Sequence, residues 1–154
     1  MNEDIEGFTA AARDFCGLLE TATELGLDEL RTRLLHILPK LYLAATKLPK
    51  LDSDADIEHV PLELDQLVAL ARHLVENDTY WEVFDPTRKE KPIAGSLAAD
   101  LSEIGFDLQQ GLLALERGDP VEAVVWEWRF GFEHHWGQHL VDALRAIQWQ
   151  VAWA

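Results

Sequence analysis

Three sets of side chains in this sequence have types and spacings that could do chemistry. Arg129 and Glu133 lie one helical turn apart, with Trp126, Phe130, Trp136 and Leu140 on the same arc. A charge on an apolar face must be paired and hydrogen-bonded, because an isolated charge in low dielectric is costly. The pair therefore reads as a structural ion pair, extended to Asp100 or Asp107 on another helix, or as an arginine gripping an anionic ligand between Trp126 and Trp136. His135, His139 and Asp142 share a second face at i, i+4 and i+7, where two neutral imidazoles and a carboxylate could take Zn²⁺ or Fe²⁺. Asp100, Glu103 and Asp107, at i, i+3 and i+7, could hold Mg²⁺ through oxygen ligands.

Each set also has a plainer reading, and in each the plainer one weighs more. Histidines on a polar helix face are commonly solvated or paired with an acid, and neither H-E-x-x-H nor the Glu-x-x-His of di-iron bundles occurs. His134 is turned about 100° from His135 and does not join its group. The acidic stripe is of the kind that all-helical nucleoside triphosphate pyrophosphatases use, but their glutamate-rich pattern on two helices is not reproduced. With 28 acidic against 13 basic residues, net −15, such a stripe is ordinarily a solvated face. Nucleophilic catalysis has no support, since G-x-S-x-G and a phosphate-cradling glycine loop are both lacking. Cys16 borders an apolar stripe and reads as a small buried residue. Asp52, Asp54 and Asp56 begin like a calcium loop but lack its glycine and closing glutamate. No cofactor is expected.

The charge excludes partners as well. Phosphate contacts need clustered cations, so no nucleic-acid partner is expected for this chain, and anionic membranes are disfavoured by the same sign. No stretch reaches the length of a membrane span, and the acidic N-terminus does not resemble a secretory signal, which points to the cytoplasm. A single cysteine cannot make an internal disulfide.

The elements that must position these residues follow from the apolar period. Ile5, Phe8, Ala12, Phe15, Leu19 and Ala22 predict a first helix. Asp28 caps a second, through Leu30, Leu34, Leu38, Leu41, Tyr42 and Ala45, that Pro39 should kink or split. Residues 49–61 read as a solvated linker, and Leu64 to Val75 as a third helix. Thr79–Gly95 reads as a loop anchored to the core by Tyr80, Trp81, Val83 and Phe84. Ser96 caps a fourth helix that Gly118 closes, and Asp119-Pro120 opens a fifth. That last stretch holds five of the six tryptophans. On its helical wheel Val125, Trp126, Phe132, Trp136, Leu140, Ala143, Leu144 and Ile147 face the core, while Trp128, Trp149 and Trp153 lie elsewhere.

The runs YWEVFDP, AGSLAADLSEIGFDLQQGL and VVWEWRFGFEHHWGQHLVDALRAI, within Tyr80–Ile147, resemble a family of small, uncharacterised, all-helical bacterial proteins. The resemblance implies an all-helical fold and a bacterial origin, and carries no activity.

The expected fold is all-α, a single domain over residues 1–154 built as an up-and-down bundle of about four or five helices without a sheet. The expected function is a non-enzymatic interaction or regulatory module, partnered by another protein or by a second copy through the exposed C-terminal tryptophans. The alternatives are a divalent-metal phosphohydrolase using the acidic stripe, a histidine-metal protein, and a small-anion binder anchored by Arg129.

Overall fold

The computed structural model describes residues 1–153. Asn2 starts the first helix: its side-chain oxygen accepts the Ile5 amide at 2.8 Å, satisfying a donor with no partner inside the helix. From there α1 (Glu3–Thr21) buries Ile5, Phe8, Ala12, Phe15 and Leu19 along one stripe, as their spacing predicts. After a short 3-10 turn, α2 (Leu27–Thr46) begins from Gly26 without a side-chain cap, so Asp28 lies inside the first turn. The expected kink does not divide α2, which continues through Pro39. Pro39 forgoes one backbone bond. Leu34, Leu38, Leu41 and Ala45 are buried on both sides of it, and their packing carries the helix across.

The stretch that follows is a strap more than a solvated linker. Leu48 and Ile57 are buried, and Gln110 exchanges two hydrogen bonds with the Val60 backbone at 2.7 and 2.8 Å. A polar strap without apolar period can still be pinned by its backbone groups, which no hydropathy pattern reveals.

α3 (Asp65–Leu74) leads through a 3-10 turn to a β-hairpin, β1 (Thr79–Glu82) and β2 (Ile93–Ser96), paired antiparallel with Tyr80 opposite Gly95. The hairpin corrects the expectation of helices and loops alone. Only four residues form each strand, too few for alternation to stand out, and Ala94-Gly95 carries no strand signature. Of the supposed anchors only Tyr80 turns inward; Trp81, Val83 and Phe84 are exposed.

Ser96 caps α4 (Leu97–Arg117) as expected, accepting the Ala99 amide at 3.1 Å. α4 is the hub of the bundle, packing against α1, α3, α5 and α6. The helix after Gly118 starts one residue later than expected, with Pro120 as its cap position. It runs as α5 (Val121–Gly131), a π-helical segment Phe132–Trp136 and α6 (Gly137–Trp153). The fold is therefore all-α with one small hairpin.

The π segment explains a wrong face. A π turn inserts one extra residue, so a wheel drawn at constant pitch is out of phase on one side of it. The buried rings are Trp128 and Trp136, eight residues apart. Trp128, expected off the core arc, is 1% exposed, whereas Trp126, expected on it, is 40% exposed. Trp128 lies against Phe8 at 4.8 Å between ring centroids and donates its indole N–H to the Leu108 carbonyl at 3.2 Å. A Cβ at Gly111 would fall inside that indole, so the glycine makes room for the ring on α4.

Candidate functional site

The acidic stripe of α4 and the histidine face of the last helix, kept apart in the sequence, meet along one seam. Asp100 sits in the first turn of α4, 5% exposed, where the helix N-terminus favours a carboxylate. Tyr80 donates its phenol to Asp100 Oδ2, and His139 Nδ1 lies 2.7 Å from Asp100 Oδ1. Gly95 lets this happen: a Cβ there would enter the Tyr80 ring, which lies flat over β2 on its way to Asp100. One helical turn back, His135 Nδ1 meets Asp107 Oδ2 at 2.7 Å, with Glu103 Oε2 at 3.5 Å from its Nε2. The two imidazoles stand edge to face with centroids 5.0 Å apart.

The electrostatics of the seam follow from these contacts. The hydrogen bond that His139 donates to the Asp100 carboxylate raises its affinity for its proton, and burial opposes that in part. Burial first, and the Asp100 carboxylate second, push the Tyr80 phenol far up, so it stays a neutral donor. At the hairpin end Glu82 is pushed up to about 7, by burial and by a hydrogen bond with Asp142.

Sequence placed Asp142 with His135 and His139. In the structure it turns instead to Glu82 and to Gln138, whose side-chain amide donates to it at 2.9 Å. The acids of α4 accept from imidazoles and a phenol, each group taken up by a neighbour. Among the described residues no three His, Cys, Asp or Glu side chains are grouped so as to hold a metal ion. Burial pushes the Cys16 thiol up to about 12, which leaves no thiolate for nucleophilic attack.

Arg129 and Glu133 do pair, at 3.1 Å, but not in the core. Their side chains are 22% and 45% exposed, which corrects the expectation of a buried pair reaching Asp100 or Asp107. The other end of the guanidinium donates to the Leu48 carbonyl, fastening the strap to the helix. Nor do Trp126 and Trp136 wall a common pocket: Trp126 stacks on Phe130 outside, 5.0 Å apart and 10° from parallel, while Trp136 is sealed inside. The phase shift at the π segment separates them.

A different place is open. α6 and β1 border a cleft of about 640 Å³ lined by Trp81, Glu82, Asp142, Arg145, Trp149 and Trp153. Trp81, Trp149 and Trp153 are 69%, 65% and 72% exposed, and the last two lie 5.3 Å apart. α2 packs on α6 but leaves these rings uncovered. Gln150 fixes the base of the cleft. It accepts from Arg31 Nε at 3.1 Å and donates to the Asn77 carbonyl at 2.9 Å, tying α6 to α2 and to the turn before β1. Sequence reading found Trp149 and Trp153 as a patch but missed Tyr80, Trp81, Glu82 and Arg145 as its companions. Their only signal was the aromatic weight of YWE, and nothing in the spacing ties Glu82 to Asp142.

Comparison with known proteins agrees with this picture of an unassigned site. The chain matches over residues 1–152 a family described as a domain of unknown function, DUF5063. No curated protein matches it. A crystal structure of protein BF1032 from Bacteroides fragilis, a structural genomics target, is similar at a TM-score of 0.84 and 26% identity, over 97% of this chain and 92% of that one. The chain belongs to the DUF5063 family.

Proposed function

We propose that this DUF5063 protein is a non-enzymatic interaction module of the bacterial cytoplasm, and that it docks through the tryptophan cleft, with a second copy of the chain as its partner. The observation that carries the reading is the convergence of three largely exposed tryptophans, Trp81, Trp149 and Trp153, on one cleft of about 640 Å³. Large rings left in water around a concavity are the usual mark of an interface, and tryptophan is the residue most enriched where binding energy concentrates. A two-fold pair is the simplest use of such a patch. The acids and imidazoles that could have served catalysis are engaged with one another, which favours binding over turnover.

The setting has its own support. The similar solved protein is bacterial, and no helix among the described residues is long and apolar enough to cross a membrane. A net charge of −15 opposes nucleic acid as partner.

Light scattering tests the reading. The expected mass at micromolar concentration is twice the 17.5 kDa of one chain, falling to one chain in Trp149→Ser. A mass near 17.5 kDa for the unaltered protein would overturn self-docking.

One observation favours a second reading, a histidine-metal protein. His139 Nδ1 is held by a buried carboxylate, which is how metal-binding imidazoles are commonly oriented. Stoichiometric zinc or iron in the purified protein, lost in His139→Ala, would promote it over the interaction module.

A further inference from the structure

We infer that the cleft receives the cationic tip of the partner copy's hairpin, with Lys89 and Lys91 of one chain set against Glu82, Asp142 and the tryptophan rings of the other. This rests on the self-docking reading above and names what enters the cleft. Four consecutive positions, Arg88, Lys89, Glu90 and Lys91, hold three of the 13 basic residues of a strongly acidic chain. All four are exposed. Arg88 is occupied locally by Asp85 at 3.4 Å, whereas Lys89 and Lys91 have no ion-pair partner among the described residues. Both lie on the return of the hairpin loop, just before β2 begins at Ile93.

The tip is already shaped. Asp85 Oδ1 accepts the Thr87 amide at 2.9 Å and its hydroxyl at 2.7 Å, and the Arg88 amide bonds back to the Asp85 carbonyl at 3.0 Å. A turn built in advance loses less entropy on docking than a free loop. Phe84, exposed beside it, adds an apolar side to the cationic one.

The cleft has the matching chemistry. Aromatic faces attract ammonium groups, most of all tryptophan. Glu82 and Asp142 are two acids held together, faced by Asp100 and Tyr80 from behind, with His139 the nearby base and Arg145 at the wall. A lysine ammonium entering between them would pair with both carboxyls. Glu82 ends β1 on the tip side of the hairpin, so two hairpins meeting near their tips about a two-fold axis would set each chain's lysines beside the other's acids.

Complementary charge reversal tests this. Lys89→Glu/Lys91→Glu, on an exposed loop, should weaken self-association at least about tenfold, and Glu82→Lys should do the same. Mixed together, the two variants should form a heterodimer near the unaltered affinity, since each tip then meets a cleft of opposite sign. Full self-association of Lys89→Glu/Lys91→Glu would overturn the inference and leave self-docking standing. Weakening of both without recovery on mixing would also overturn it. A monomeric unaltered protein would remove both readings together.

Discussion

The seam between α4 and α6 and the cleft between β1 and α6 share a helix and many residue types, yet they are opposites. In the seam, Asp100, Asp107, His135, His139 and Tyr80 satisfy one another, and the cost of placing charge between helices is met inside the protein. In the cleft, three tryptophans stay in water beside the carboxyls of Glu82 and Asp142. Chemistry-bearing side chains that are saturated do architecture. Those that are not saturated mark where something else must come.

The comparison breaks most sharply at Asp100. Asp100→Ala strands the Tyr80 phenol and the His139 imidazole and should lower stability by about 3 kcal/mol in urea unfolding. Trp149→Ser should change monomer stability by no more than about 0.5 kcal/mol while removing association. Equal destabilisation by both would erase the distinction between the two regions.

Gly95→Ala tests the hinge between them. Its Cβ would displace the Tyr80 ring and loosen the hairpin from Asp100, at a cost of about 1–3 kcal/mol by thermal unfolding. Arg129→Ala should cost less, about 1 kcal/mol, because its pair with Glu133 is half in solvent and the Leu48 carbonyl can turn to water.

The smallest effect is in pH. Glu82 is raised from 4.5 to about 7 in the fold, so between those values the folded chain holds a proton that the unfolded chain has lost. Stability should therefore fall as pH rises across that window, and Glu82→Gln should flatten the slope. Solvent screening keeps the effect modest. His139, also raised, stabilises most below its unfolded value of 6.5, a contribution that fades as pH climbs through its folded value. A partner's lysine favours ionised Glu82, so association should strengthen over the range in which stability declines.

Much of this was legible beforehand. The stripe of α1, the Ser96 cap and the acidic face of α4 follow from spacing and cap chemistry, and the resemblance over Tyr80–Ile147 agrees with a family match that extends over residues 1–152. The two halves of the seam were also visible, as three acids and two histidines, but which helix faces which is a property of packing and not of one strand of sequence. The π segment hid more. One extra residue near His135 exchanged Trp126 for Trp128 in the core and moved Arg129 outward, and constant-pitch reasoning has no means to register it. The strands were too short to show alternation, so the wall that completes the cleft was read as a loop.

Backbone hydrogen exchange, compared above and below the association concentration, measures most directly whether the cleft is the docking face. Added protection is expected in residues 79–93 and 142–153, with the seam around 100–107 unchanged. Protection confined to the Trp126–His135 face, or none at either, would contradict docking through the tryptophan cleft.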